Sequence, residues 1–139
     1  MAMTSNIRRS ILVSGALPAP RFRYSPVVKA GPFVFVSGLI GLEPESGLLV
    51  GDGAYGQALQ VLRNVRSLAD EQGWSMSQLL LARVFCVGVE AAGDVNRAWD
   101  EVFEQMDPPA RTFVGVAGLP LGALVEIEFQ FVIGDGLAA

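Results

Sequence analysis

The segment Leu124-Val125-Glu126-Ile127-Glu128-Phe129-Gln130-Phe131-Val132-Ile133 alternates between apolar and polar side chains along most of its length. On a β-strand, successive side chains point to opposite faces of the sheet. One face of this strand is therefore apolar, and the other carries two carboxylates and an amide, those of Glu126, Glu128 and Gln130. The segment predicts a strand with one face in a hydrophobic core and the other against water or a polar partner surface.

Four more strands and two helices are predicted upstream of this segment. Aromatic and β-branched residues predict strands at 24–29 and 33–37, joined as a hairpin by a Gly-Pro turn. Apolar residues at helical spacing over 58–69 predict a helix that ends at Gly73, and a second helix begins with Asp94 as its N-cap. Further strands are predicted at 80–89 and 111–117. The order β-β-α-β-α-β-β predicts an α+β fold in which both helices cover one face of a mixed sheet.

Composition excludes several classes of site. The chain has 139 residues, the size of one domain, and 51% of them are hydrophobic, so it has ample apolar surface for a core. The absence of histidine excludes Ser-His-Asp and Cys-His catalytic sites and zinc sites that need imidazole. A net charge of −4 argues against binding nucleic acid through its phosphates. Cys86 is the single cysteine, and its apolar neighbours predict an inert, buried thiol.

The chain is predicted to be one domain preceded by a short lead-in. Residues 1–20, which contain Gly15, Pro18 and Pro20, are expected to be a flexible lead-in, and residues 21–139 a single domain. No uncharged stretch is long enough to cross a membrane, so we expect no membrane partner. The single cysteine excludes an internal disulfide framework and fits a reducing compartment, so we expect a cytoplasmic protein. The high apolar content in a domain of this size predicts that some apolar surface lies in a subunit interface.

The stretch Gly51-Asp52-Gly53-Ala54-Tyr55-Gly56 matches the GxGxxG pattern of dinucleotide-binding loops. We interpret it instead as a glycine-rich loop that enters a helix, because the other predicted elements cannot build the doubly wound parallel sheet of such a site. Trp74 and Trp99 follow the periods of their elements, so we interpret them as core or interface residues and not as a base-stacking platform.

Arg111 begins a strand that then turns apolar, and three roles are open to it. Its guanidinium can reach water, pair with a glutamate of the next strand, or hold a ligand carboxylate through two parallel hydrogen bonds. Glu126 and Glu128 are open to the same structural and functional interpretations. Periodicity alone does not choose between them.

Several groups of residues together resemble one protein family. The C-terminal groups are Pro109-Ala110-Arg111-Thr112-Phe113-Val114, Leu119-Pro120 and Leu124-Val125-Glu126-Ile127-Glu128. The N-terminal groups are Tyr24-Ser25-Pro26-Val27-Val28 and Phe35-Val36-Ser37-Gly38. The middle of the chain agrees at Asn64, Arg83-Val84-Phe85, Asn96 and Phe103. From about residue 24 to residue 133 the chain is similar to the Rid family, the reactive intermediate deaminases, also called YjgF proteins.

The resemblance implies a fold, an assembly and a reaction. Rid proteins have chorismate-mutase-like folds and form homotrimers with a ligand cleft at each subunit interface. Their characterised activity is the hydrolysis of 2-imino acids, the tautomers of enamines such as 2-aminoacrylate, to 2-keto acids and ammonia, with no cofactor or metal. The resemblance implies that Arg111 binds the substrate carboxylate, that Glu126 orients or activates water, and that the Tyr24 hydroxyl reaches the cleft from a neighbouring subunit. It implies that Gly38, Leu39, Thr112 and Phe113 line the substrate-binding site.

Departures from the family pattern bear on the substrate. Many relatives have a cysteine where this chain has Phe113, and a polar residue often follows Ser-Gly where this chain has Leu39. Both changes are expected to make the cleft more apolar, which favours a bulkier or aromatic imino acid or a pathway-specific enamine over the smallest imine. The segment 21–24 also departs from the usual sequence and is expected to bring positive charge near the cleft.

Two other functions are open besides the deaminase. One is a non-catalytic trimer that binds a carboxylate metabolite through Arg111. The other is a ribonuclease, a label attached to parts of this family. The acidic balance, the missing histidine and the single lysine, Lys29, disfavour the ribonuclease. The presence of Arg111 favours catalysis over simple binding.

Overall fold

A computed structural model describes residues 6–134, and its sheet is built around the alternating C-terminal segment. In chain order the elements are β1 (Arg9–Leu12), β2 (Val27–Ala30), β3 (Phe33–Ile40), α1 (Gly53–Gln72), β4 (Leu79–Val87), α2 (Ala92–Val102), β5 (Ala110–Val116) and β6 (Val125–Val132). Short 3₁₀ turns occupy Met76–Gln78, Val89–Ala91 and Pro120–Gly122. The six strands of this described part form one sheet in the order β1-β2-β3-β6-β4-β5.

β6 lies inside the sheet and contributes strongly to its buried face. Val125, Ile127, Phe129 and Phe131 are buried, whereas the residues that alternate with them on the opposite face, Glu126, Glu128, Gln130 and Val132, are half-buried. The apolar faces of both helices pack against the buried face of the sheet and form one core with it. β4 and β5 run parallel, and the other neighbouring strands run antiparallel. The predicted α+β fold, with two helices on one face of a mixed sheet, is confirmed.

The helix ends agree with the prediction at one place and differ at another. Gly73 ends α1 with φ 76° and ψ 20°, a left-handed conformation that glycine adopts without a steric cost. α2 begins at Ala92, so Asp94 lies in its first turn and does not cap it. The 3₁₀ turn Val89–Ala91 leads directly into α2, so the chain is already helical before Asp94.

β1 corrects the predicted domain boundary. Arg9–Leu12 pairs antiparallel with β2, and Leu17 is buried in the main core. These residues belong to the domain, although the sequence predicted that it begins at residue 21. β1 is a four-residue edge strand with mostly exposed side chains, so it lacks the burial pattern that predicts strands. Residues 1–5 of the predicted lead-in and 135–139 of the predicted domain lie outside the described residues.

The glycine-rich stretch 51–56 is a loop that enters α1, as interpreted from its sequence. Gly56 is required by close packing, because a Cβ there would lie 2.5 Å from the carbonyl oxygen of Gly51. The chain before the loop makes only an isolated bridge between Leu42 and Leu49. The loop therefore does not follow a strand of a parallel sheet, which a dinucleotide site requires.

Cys86 and Trp99 are buried in the core and Trp74 packs against it, in agreement with the interpretation of all three as structural residues. Cys86 is fully buried, and its burial, reinforced by the charge of Glu90, raises the pKa of its thiol. Trp99 is buried, and Trp74 packs on Phe131 with ring centroids 5.4 Å apart. Within residues 6–134, no helix is both long enough and apolar enough to cross a membrane.

Candidate functional site

A cavity of about 250 Å³ opens beside the C-terminal end of β3 and the N-terminal end of β6. The strands contribute polar groups to it, including Ser37 and Glu126, and two loop segments, 18–24 and 120–121, form its walls. Four of the predicted site residues line the cavity, and they are Tyr24, Gly38, Leu39 and Glu126. Arg111, Thr112 and Phe113 do not line it.

Gly38 brings the sheet backbone against the Glu126 carboxylate. The pairing of β3 with β6 is irregular between Val36 and Leu39, and Gly38 lies in that irregular stretch. A Cβ on residue 38 would lie 2.9 Å from both Cδ and Oε1 of Glu126. Any side chain at position 38 would therefore displace the carboxylate. Glycine at a strand irregularity commonly marks such a close approach.

The two glutamates of β6 differ in their electrostatic surroundings. Burial, reinforced by the negative charge of Glu128, raises the pKa of Glu126. Glu128 pairs with Arg83 of β4, with 2.8 Å between Nη1 and Oε1. In the described part of the chain, no arginine or lysine lies within ion-pair distance of Glu126. Of the two glutamates, Glu126 is the one that lines the cavity without an ion-pair partner in the described part of the chain.

The segment that carries Tyr24 is fixed by hydrogen bonds. The guanidinium of Arg21 donates to the carbonyl oxygen of Gly47. The backbone N–H of Tyr24 donates to the carbonyl oxygen of Phe22 over 3.0 Å. The hydroxyl of Ser37 donates to the carbonyl oxygen of Ser25 over 2.7 Å, which ties β3 to the residue after Tyr24. Arg21 itself lines the cavity, so the segment does bring a cationic side chain to the cleft.

Arg111 lies on β5 at the edge of the sheet and is held by α2. Its Nη1 donates to Oδ1 of Asn96 over 2.8 Å. Its guanidinium lies over the rings of Trp99 and Phe113, with Cζ 4.9 Å and 5.4 Å from the two centroids. β4 separates β5 from β6, so the suggested ion pair between Arg111 and a glutamate of the next strand is wrong. Arg111 remains exposed, with guanidinium edges available to a ligand.

Asn96 is the contact that sequence reasoning missed. It appears in the family pattern, but no role was predicted for it. Asn96 and Arg111 lie on different elements, fifteen residues apart, and no helix or strand period relates them. The family pattern is the one signal in the sequence that points to Asn96.

Arg111 and Glu126 do not meet within one chain. In the sheet register Arg111 pairs with Ala82 and Glu126 pairs with Phe85, on opposite sides of β4. This separates them by roughly 10 Å along the strands and roughly 10 Å across them. Arg111 points to the helix side, where it contacts α2, whereas Glu126 points to the open side. A ligand of amino-acid size cannot contact both side chains of the same chain.

The other three predicted lining residues do not lie together: one lies beside Arg111, one lines the cavity, and Thr112 is in neither place. Phe113 lies beside Arg111 on the helix side, and Thr112 pairs with Arg83 of β4. Leu39 lines the cavity but is 8% exposed and packs in the main core. Its side chain therefore adds little apolar surface to the cleft, contrary to the expectation from its sequence position.

Comparison with known proteins identifies the family. The family model described as Endoribonuclease L-PSP matches residues 14–133, and a solved structure from the Rid family superposes closely. The chain belongs to the Rid (YjgF, L-PSP) family. That structure is YyfA from Yersinia pestis, with a TM-score of 0.85, 28% identity, and coverage of 91% of this chain and 100% of that chain.

Two further relatives of this Rid protein carry functional descriptions. The 2-iminobutanoate/2-iminopropanoate deaminase of Mus musculus is 33% identical over 135 residues, which cover 97% of this chain and 99% of that protein. E. coli TdcF, solved with bound serine, has a TM-score of 0.84 and 28% identity, with coverage of 90% of this chain and 99% of that chain.

Proposed function

We propose that this Rid protein hydrolyses 2-imino acids to 2-keto acids and ammonia. Water adds to the carbon of the C=N bond, and the C–N bond then breaks as the nitrogen leaves as ammonia. The observation that carries the proposal is the half-buried Glu126, which lines a cavity and has no cationic partner within residues 6–134. The mouse relative named as a deaminase supports the same reaction. The serine bound to TdcF supports a ligand with an α-carboxylate.

We infer that a complete site forms between two copies of the chain in a homotrimer. In this proposal, Arg111 of one copy binds the substrate carboxylate, while Tyr24 and Glu126 of its neighbour line the cavity. The separation of Arg111 from Glu126 across the sheet supports this arrangement, because one chain offers only half of the site. Exposed apolar side chains on the open side of the sheet, Phe33 and Phe35, offer surface for subunit contact.

Glu126 is proposed as the group that activates water. A raised pKa makes its carboxylate a better proton acceptor than an ordinary glutamate, which suits a general base. The proton taken from water is then available to the departing nitrogen, which must leave as ammonia. Glu128 is proposed as secondary, because its carboxylate is already paired with Arg83.

Arg111 and Tyr24 are proposed to hold the substrate. Asn96 and Trp99 fix the guanidinium plane of Arg111, and such a plane can bind a carboxylate through two parallel hydrogen bonds. The Tyr24 hydroxyl is proposed to bond the substrate from the neighbouring copy. The imine carbon is already electrophilic, so the reaction needs positioning and proton transfer and no cofactor.

Composition favours a small imino or keto acid over nucleic acid as the ligand. The family description includes an endoribonuclease, but this chain has a net charge of −4, one lysine and no histidine. The single thiol, Cys86, fits a reducing compartment, and we propose that the reaction takes place in the cytoplasm.

Competition for a short-lived imine tests the reaction. An L-amino-acid oxidase generates the imino acid, and semicarbazide traps whatever has not been hydrolysed. The purified protein, pretreated with a chelator, is expected to lower the trapped fraction in proportion to its concentration. Calorimetry with 2-keto acids runs in parallel. Keto-acid binding without loss of imine would favour the non-catalytic carboxylate-binding trimer. If neither keto-acid binding nor loss of imine is observed, both functions are contradicted.

A further inference from the structure

The cavity has an apolar wall whose residues take no part in the proposed reaction at Glu126. Phe22 and Leu121 come from two separate loops, line the same cavity, and are 69% and 49% exposed. Pro18 and Pro120 line it beside them. Large apolar side chains that are open to water mark a surface that a ligand or a partner covers. Phe22 and Leu121 line the concave cavity that holds Glu126, whereas Phe33 and Phe35 lie on the open face of the sheet and do not line it. This placement favours the ligand of the Glu126 site as the group that covers Phe22 and Leu121.

Phe22 is held at the cavity by its chain neighbours. Leu17 is buried in the main core before it, and the guanidinium of Arg21 is bonded to the carbonyl oxygen of Gly47. After it, the N–H of Tyr24 donates to the carbonyl oxygen of Phe22 itself. The Phe22 ring is therefore exposed although the turn that carries it is held in place beside the cavity.

Leu121 occupies a backbone conformation that leucine rarely adopts. Its φ of 58° and ψ of 21° lie in the left-handed region, which is unfavourable for a residue with a Cβ and costs glycine nothing. The turn is fixed by the N–H of buried Ala123, which donates to the carbonyl oxygen of Pro120 over 3.1 Å. The backbone alone favours glycine at position 121, yet the residue is a leucine whose side chain lines the cavity.

The polar and apolar parts of the cavity come from different elements. Glu126 and Ser37 come from the strands, and Phe22 and Leu121 come from the loops. In a single chain the cavity has a volume of about 250 Å³, and its apolar wall lies on the loops, apart from the strands that hold Glu126. A substrate side chain beyond the reacting carbon can therefore lie against that wall while the imine lies at Glu126.

We propose that Phe22 and Leu121 form a side-chain subsite, and that the substrate is a 2-imino acid with a large apolar side chain, branched aliphatic or aromatic. This inference rests on the proposed function and adds the class of substrate. The reaction is the same: the water oxygen bonds to the imine carbon, the C–N bond breaks, and nitrogen leaves as ammonia. The side chain is unchanged and lies against the apolar wall.

A pair of substrates and a pair of variants test the subsite. The imines derived from leucine and from alanine are compared by kcat/KM. The ratio is expected to be at least about tenfold in favour of the leucine-derived imine, because added apolar groups in a matching pocket have effects of this size. Phe22→Ala and Leu121→Gly, which truncate the wall from separate loops, are each expected to lower the ratio by about tenfold. Val89→Ala removes an apolar side chain that is 82% exposed and does not line the cavity, so it is expected to leave the ratio unchanged.

The outcomes separate this inference from the proposed function. Hydrolysis of both imines with equal efficiency, or a ratio that neither Phe22→Ala nor Leu121→Gly lowers, would overturn the subsite and leave the deaminase intact. Hydrolysis of neither imine would contradict the deaminase. In that event calorimetry with 4-methyl-2-oxopentanoate and pyruvate tests the subsite alone. Tighter binding of the larger keto acid, lost in the two variants, supports it, and equal binding overturns it.

Discussion

The backbone of Gly38 lies against the carboxylate of Glu126, with room for a hydrogen but not for a methyl group. A Cβ on residue 38 would be 2.9 Å from Cδ and Oε1 of Glu126. The position of the carboxylate in the cavity therefore depends on the absence of a side chain on the neighbouring strand. The same contact limits which residues β3 can carry at that position.

Gly38→Ala is expected to lower kcat/KM by at least about tenfold, because the added methyl group displaces Glu126, the proposed general base, and misplacement of about 1 Å can cost about 10²-fold. Imine-trapping kinetics and thermal unfolding are measured on the same sample. Gly51→Ala is the matched control, since a Cβ there meets no atom within 4 Å. A fully active Gly38→Ala protein would show that the position of Glu126 is not critical.

Glu126→Gln keeps the size of the side chain and removes its ability to accept a proton. It is expected to lower kcat by about 10²-fold with a smaller effect on KM, because general base catalysis typically contributes about that much. Wild-type kcat/KM is expected to rise with pH through the raised pKa of Glu126, and the variant is expected to lose that rise. Glu128→Gln is the matched control, and a larger loss in that variant would assign the base to Glu128.

The raised pKa of Glu126 also predicts how stability depends on pH. The folded protein binds the proton of this carboxyl more tightly than the unfolded chain does, so protonation stabilises the fold. This stabilisation is present below the unfolded-state pKa and is lost as pH rises through the folded-state pKa. Urea unfolding is therefore expected to show wild type losing stability relative to Glu126→Gln between acidic and neutral pH. A difference that grows in the opposite direction would contradict the raised pKa.

The fold could be predicted mainly where burial follows a period. β6 could be predicted because only one of its faces is buried, so apolar and polar residues alternate along its sequence. β1 could not be predicted, because a short edge strand with mostly exposed side chains has no alternating pattern of apolar residues. The start of α2 was also missed, since the preceding 3₁₀ turn replaces an N-cap side chain.

The candidate site was harder to predict than the fold, because strand order decides it. In sequence Arg111 and Glu126 lie on consecutive strands and suggest a contact. In the sheet β4 lies between those strands and the two side chains point to opposite faces. The Arg111–Asn96 bond likewise depends on how α2 packs beside β5, which neither local pattern contains. The family resemblance supplied the residues without their arrangement.

Arg111→Lys tests whether the planar guanidinium matters. Lysine keeps the charge but cannot form two parallel hydrogen bonds, and losing a paired partner in a binding site costs roughly 2 kcal/mol or more. We therefore expect kcat/KM to fall at least about 30-fold without a large change in melting temperature. Arg97→Lys, a similar exchange at an exposed arginine on α2, is the control and is expected to leave activity unchanged. A fully active Arg111→Lys protein would remove Arg111 from the site.

Asn96 is a positioning residue in this scheme, since it contacts Arg111 and orients the guanidinium. Asn96→Ala is expected to raise KM more than it lowers kcat, because a misoriented guanidinium weakens carboxylate binding while Glu126 stays in place. A purely structural role would instead lower the melting temperature and leave KM of the folded protein unchanged. Steady-state kinetics and a melting curve on one sample distinguish these results.

Mixing two inactive variants tests whether Arg111 and Glu126 of different copies share one site. Arg111→Ala lacks the proposed carboxylate-binding group, and Glu126→Gln lacks the proposed base. In a closed ring of three chains, every mixed trimer contains one interface that joins an intact Arg111 to an intact Glu126. Unfolding and refolding the two variants together in equal amounts should therefore restore about a quarter of the wild-type sites by random assembly of such symmetric rings. Light scattering on each sample confirms that trimers have formed, and each variant refolded alone provides the background. If each chain holds its own complete site, no mixture recovers activity, because every chain then lacks one of the two groups.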